Sequence, residues 1–177
     1  PEEVRAAAQA AIDAGMPYTA TCSFDTAGRT MMGLLPGSLA GVFDGLAVPP
    51  LAFGANCGVG APDILVSVLA ITAAGDHAVI CKGNCGVPRF EGMDIVYSGT
   101  PELMARYATL AIDAGARIVG GCCGTSPEHL AAMRHSIDST PAGERPTIEE
   151  IVAGTGPLTN ATPSAGGSGR ERGRRRG

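Results

Sequence analysis

Charge is scarce in this chain: Asp, Glu, Lys and Arg make up 17% of its 177 residues, and lysine occurs once, at Lys82. Long apolar runs are missing as well, with none near the ~20 residues that a membrane-spanning helix requires. No C-x2-C pair occurs and histidine appears only three times, which excludes the common zinc-finger spacings. A G-x-G-x-x-G turn after the first β-prone run is also lacking, against a dinucleotide-binding fold. The opening "PEEVRAAAQAA" carries two acids and no apolar core, so it does not read as a secretory leader. It does not begin with Met, and the expectation is a piece of a longer protein.

What is present suits a soluble globular domain. Apolar residues reach 45%, and the length allows one sizeable core. Six cysteines without a leader argue for reduced thiols in the cytoplasm, some of them metal ligands or reactive, rather than a disulfide scaffold. The Asn160-Ala-Thr match to a glycosylation acceptor then reads as chance. The net charge of −4 is unevenly spread: "RERGRRRG" at the end carries +4, leaving −8 elsewhere. Residues 154–177, rich in Gly, Ser and Arg, read as a disordered solvated tail. The acidic body offers no nucleic-acid footprint.

The punctuation of the chain repeats. Pro1-Glu2, Pro62-Asp63, Pro101-Glu102 and Pro127-Glu128 each open a helix-like segment, because proline has no N–H to leave unpaired there and the acid complements the helix dipole. Thr100 and Ser126 are natural N-caps, and Gly15, Gly75 and Gly115 mark helix ends. β-prone runs follow at 17–24, 51–56, 78–84 and 116–121, the second of them after a weaker helix candidate near 37–47. "AIDAG" occurs twice before a strand, and "ANCGV" and "GNCGV" echo one another at strand ends. Alternating strands and helices predict an α/β fold with a parallel sheet, its strands buried on both faces. Four such units amount to half of a (β/α)8 barrel, with a small open doubly wound sheet as the alternative.

In βα folds the chemistry gathers at the C-terminal ends of strands, where Cys57, Cys85, Cys122 and Cys123 fall. Cys22 and Cys81 lie within strands and read as small buried apolar residues. Neighbouring cysteines such as Cys122 and Cys123 form no ordinary unstrained disulfide with each other. Cys57 lies 65 positions before Cys122, so only tertiary structure can unite them. A barrel does so, because their strands stand two units apart. Three thiolates then hold Zn²⁺ at about 2.3 Å with a fourth position open, the catalytic pattern. A thiol entering that position is deprotonated, and the thiolate is its nucleophilic form.

At these residues a resemblance becomes specific. "GARIVGGCCGTSPEHLAAMR" with an upstream "GANCG", together with "SFDTAGRTMMG" at 23–33, is similar to the homocysteine S-methyltransferase family over residues 1–153, and most of all to its bacterial betaine–homocysteine branch. The resemblance implies a (β/α)8 TIM barrel of which this chain is the C-terminal half. It further implies a zinc held by Cys57, Cys122 and Cys123, and activation of homocysteine for methylation to methionine. Asn56 and Cys85 are candidates for a supporting shell around the metal; Asn56 and Asn84, both at strand ends, could each donate to ligand or zinc thiolates or equally satisfy loop backbone. The first four βα units of the family, with its Asp-Gly segment, are expected to precede Pro1. The isolated chain is therefore expected to be poorly active or inactive and to pair with a second copy through its open edges. Betaine is the preferred donor by resemblance; S-methylmethionine, dimethylsulfoniopropionate and methylated folate stay open.

Two rivals stand beside this reading. Lys82, near a strand end, could form a Schiff base as in barrel aldolases. A zinc-storage or redox-sensing module would instead use Cys81, Cys85 and the vicinal pair in a closed four-thiolate site. His77, His129 and His135 read as loop or helix-surface residues rather than ligands.

Overall fold

A computed structural model of the chain describes residues 1–86 and 88–160. Helix α1 (Glu2–Asp13) leads into β1 (Thr19–Cys22), β2 (Ala52–Cys57), α2 (Ala61–Ala73) and β3 (Val79–Gly83). A hairpin of β4 (Pro88–Glu91) and β5 (Asp94–Tyr97) follows, then α3 (Pro101–Asp113), β6 (Ala116–Gly121), α4 (Pro127–Ser139) and α5 (Ile148–Thr155). Strands β1, β2, β3 and β6 form one parallel sheet in that order.

The proline-acid openings do start helices, and α3 is capped by Thr100, whose hydroxyl accepts the Leu103 N–H at 3.3 Å. Gly15 and Gly115 follow helix ends in left-handed conformation. The helix expected near 37–47 is instead two 3-10 turns, Pro36–Ser38 and Ala40–Phe43. Glycines at 37, 41 and 45 lower helix propensity there, and the short turns still bury Leu39, Val42 and Phe43. The 88–97 hairpin is absent from the sequence-based expectation. Its signal is the Glu91-Gly92-Met93-Asp94 turn, with Gly92 at φ 67 and Glu91 paired to Asp94.

Helix α2 is apolar nearly all round and is buried on several sides, with Leu65, Val68 and Ile71 at 0–1% exposure. It packs on β2 and β3 with one side and on α5 with another. Residues 154–160 thus depart from the expected tail. Gly154 and Thr155 complete α5, whose Ile151 is fully buried. The Asp63 carboxylate then accepts the backbone N–H groups of Thr159 and Asn160 at 2.9 and 2.7 Å. Arg145 donates to the carbonyls of Leu69 and Ala114, tying this C-terminal segment to the ends of α2 and α3. The rest of the tail, 161–177, lies outside the described residues.

Side-chain alternation sorts the sheet into two faces. Cys22, Ala55, Cys81 and Val119 are register partners and pack with the helices in the core. Asn56, Lys82 and Gly120 are register partners on the opposite face. Burial on both faces holds for Ala52–Ala55 and Val79–Cys81, but on β6 Ile118 is 45% exposed.

Tyr107 of α3 locks β3 to β6. Its buried hydroxyl accepts the Gly83 N–H at 2.8 Å, donates to the Gly120 carbonyl at 3.2 Å and lies 3.1 Å from the Cys81 sulfur. Burial pushes the Cys81 thiol up from 9.0 to about 12. A thiol whose folded-state value is raised contributes stability that is complete below the unfolded value and lost as pH climbs towards the folded one. Stability should therefore be flat up to pH 8 and fall by about 2 kcal/mol from this group by pH 10.5. Urea unfolding midpoints across that range check the slope, and Cys81→Ser should make it shallower.

Candidate metal centre

Strand β2 ends at Cys57 and strand β6 ends one residue before Cys122, with β3 between them. Cys57 is in left-handed conformation, φ 55, which is unusual for a residue with a Cβ. Strict alternation would send its side chain to the helix side of the sheet, in line with Ala55. The local turn breaks that alternation, and Cys57 Sγ lies 2.9 Å from Cys122 Sγ. Cys122 Sγ and Cys123 Sγ are 3.9 Å apart, and all three sulfurs fall within 4.8 Å of one another. Backbone strain of this kind persists where surrounding structure imposes it and often marks a functional site.

The surrounding structure here centres on Asn84, at the end of β3. Its amide is buried and faces both cysteine segments: Nδ2 donates to the Gly58 carbonyl at 2.8 Å, and Oδ1 accepts the Cys123 N–H at 3.1 Å. Backbone bonds complete the frame, from Cys122 N–H to Gly83 O at 2.8 Å and from Cys85 N–H to Cys123 O at 2.9 Å. Asn56 bonds the Cys57 side chain. Asn84 thus takes up loop backbone rather than sulfur, whereas Asn56 does reach a sulfur.

The electrostatics follow from this crowding. Burial, then the hydrogen bond with Cys122, pushes the Cys57 thiol up to about 11. Burial also works to raise Cys122, but hydrogen bonds from Cys57, Cys123 and nearby backbone outweigh it and its value is lowered. Sulfurs bound at about 2.3 Å in a tetrahedral set stand roughly 3.8 Å apart, so the 3.9 Å pair already matches one ion and the closer pair would open slightly around it. The donor set fits zinc.

The other candidates lie elsewhere. Cys85 is fully buried, and its sulfur packs against Gly99, where a Cβ would come within 2.6 Å of it. Cys81 faces Tyr107 on the helix side. Among the described residues the gathered sulfurs are therefore three, not the four-thiolate set of a storage module. Lys82 is half-buried with its stem over Gly120. His77 stacks near Phe53, with ring centroids 5.0 Å apart, and His129 accepts the Ser126 N–H as a helix cap. The residue missed from sequence is Tyr97, at the end of β5, whose ring lies against Gly124, next to the cysteine pair. A hollow of about 380 Å³ between residues 35–38, α2 and residues 158–160 has no cysteine in its walls.

A family model described as homocysteine S-methyltransferase matches residues 1–137. Among solved structures, the metallated form of the homocysteine methyltransferase MmuM from Escherichia coli matches at a TM-score of 0.59 and 19% identity, over 75% of this chain and 40% of that one. Its oxidized form matches at 0.58 and 20% identity, over 75% and 41%. The present chain thus spans about two fifths of the length of those structures, and its four-stranded parallel sheet corresponds to part of their fold. Among the described residues no helix is long and apolar enough to cross a membrane.

Proposed function

Since the chain belongs to the homocysteine S-methyltransferase family, we propose that it is the zinc-holding portion of an enzyme that methylates the thiol of homocysteine to give methionine, with betaine as the donor. The observation that carries this reading is the convergence of Cys57, Cys122 and Cys123, from two strand ends, within 4.8 Å. These three residues would hold the zinc, and the bound ion would supply a Lewis acid that keeps an entering thiol ionised near neutral pH.

The chain's own residues do the rest. Asn84 fixes the spacing of the two cysteine segments, and Asn56 holds the Cys57 sulfur in place. Cys123 is the exposed member of the set, so the approach to the sulfurs is from its side. Gly121, at the end of β6, has no Cβ because the Thr125 side chain fills that space, which lets the turn carrying the cysteine pair fold back against the strand. The donor pocket and the contacts to the amino acid end of homocysteine belong, in this reading, to βα units that precede Pro1. They would pair with the free edges of β1 and β6, cover Ile118 and complete an eight-stranded barrel.

The test is methionine formation from homocysteine with betaine, S-methylmethionine, dimethylsulfoniopropionate or methylated folate in turn. Protein carrying the preceding segment and loaded with one zinc should turn over with betaine, and residues 1–177 alone should show less than about a hundredth of that rate. No methionine from any of the four donors would overturn the proposal. Borohydride trapping with carbonyl substrates should leave Lys82 unmodified.

A further inference from the structure

Strand β3 runs between the two strands whose ends carry the sulfurs, and its penultimate residue is Lys82. Adjacent strands stand about 4.8 Å apart, and Lys82 is in register with Asn56, beside Cys57, and with Gly120, two residues before Cys122. All three lie on the face of the sheet turned away from the helices. The half-buried side chain leans towards β6: its Cγ and Cδ lie 3.5 and 3.9 Å from where a Cβ would stand on Gly120. The stem therefore rests on bare backbone just short of the cysteine pair. Lys82 is the only lysine of the chain, and the sheet gives it no counter-charge. In the preceding row of the same face, the register partners Thr21, Gly54, Ile80 and Ile118 are all uncharged. Among the described residues the ion pair is that of Arg134 with Asp138, and no side chain is bonded to the Lys82 ammonium. A cation on the inner face of a barrel costs free energy unless an anion meets it. The three sulfurs commit their charge to the metal in the reading above, so the anion comes from elsewhere.

Resting on the methyl-transfer reading above, we infer that Lys82 is a binding residue for a substrate carboxylate, held on the inner face of the sheet beside the metal site. Homocysteine carries such a group, and so do betaine, dimethylsulfoniopropionate and S-methylmethionine. The ammonium–carboxylate bond is charge-assisted, and it forms where the surrounding sheet face offers no competing ion. It also orients the ligand. In betaine a single methylene parts the carboxylate from the quaternary nitrogen. A fixed cation at Lys82 attracts the first and repels the second, so the methyl groups are turned away from the lysine and towards the sulfurs. A donor lacking the carboxylate meets repulsion alone, which makes Lys82 a specificity-determining residue as well as an anchor. This chain thereby adds one contact to those expected from the βα units that precede Pro1.

The experiment uses the full-length zinc-loaded protein. Lys82 is acetylated with an N-hydroxysuccinimide ester, alone or with betaine, homocysteine or choline, and its modification is followed by mass spectrometry. Choline shares the trimethylammonium end of betaine and lacks the carboxylate. A ligand seated on Lys82 should slow the modification about tenfold at ten times its Kd. Protection by betaine assigns the carboxylate to the donor, and protection by homocysteine assigns it to the acceptor. Choline protecting as well as betaine, or neither carboxylate ligand protecting, would overturn the inference. Lys82→Gln should raise the KM of the protected substrate about 10- to 100-fold with the other KM and bound zinc unchanged, and Lys82→Arg should recover part of the loss. A lower urea midpoint or less bound zinc with both KM values unchanged would mean that Lys82 serves the fold or the metal, and is equally a refutation. If the glutamine variant misfolds, the protection measurement on the unsubstituted protein still decides. Methionine formed while Lys82 stays unprotected defeats this inference alone, whereas no methionine from any donor defeats the methyl-transfer reading itself.

Discussion

Replacing any one of Cys57, Cys122 or Cys123 by serine should reduce bound zinc from one per chain to near none and methionine formation by roughly a thousandfold or more. Serine is isosteric but stays protonated and is a far weaker zinc ligand, and a three-ligand site has none to spare. The metal-free site adds a pH signature. Because Cys57 is pushed up to about 11, it carries a proton at neutral pH that metal binding must displace. Zinc affinity should therefore fall by about tenfold per pH unit for each proton released as pH drops below neutrality. Calorimetry in buffers of different ionisation enthalpy reads that proton count directly. Zinc retained in full by the serine variants would end the proposal, since no other group of three metal-ligating side chains gathers among the described residues.

The second large effect is expected at a residue that touches no metal. Asn84→Ala removes both bonds that hold the Gly58 and Cys123 backbones in place, leaving a part-buried N–H and a part-buried carbonyl without that partner. Two such losses cost about 2–4 kcal/mol of stability, and slackening the sulfur spacing should weaken zinc binding by about 10–100-fold. Asn84→Asp separates the two contributions: it keeps the acceptor for Cys123 and loses the donor to Gly58, and it places a negative charge beside three sulfurs. We expect it to weaken zinc less than alanine does if ligand spacing dominates. Metal competition with a chromophoric chelator ranks the three proteins. Equal affinities in all of them would show that the cysteine segments hold their own geometry without the clamp.

Much of this fold is legible in the sequence. Proline-acid helix openings, glycine stops and β-prone runs are local signals, governed by the chain within a few residues, and they placed the four parallel strands and the four main helices. They failed where local preference was divided. Residues 36–43 are turns because glycines at 37, 41 and 45 weaken the helix expected over 37–47, which tertiary burial did not need. Residues 154–160 read as tail from composition, yet Asp63 holds them from a position 96 residues away, which no local pattern reports. The hairpin was readable from its Gly92 turn, but not that its end would lie against Gly124, beside the cysteine pair.

By itself, the amino-acid sequence determined the alternation of strand and helix, the presence of cysteines at strand ends, and the "GGCCG" and "GANCG" segments that mark the family. These depend on spacing along the chain, which is covalent and needs no fold to be read. Only the tertiary structure decided which sulfurs meet, because β3 lies between the two contributing strands and a left-handed turn at Cys57 redirects one of them. It also decided what holds them there. The Asn84 clamp reaches across 26 to 39 residues of chain, and hydrogen bonds of that range are set by packing rather than by neighbours in sequence.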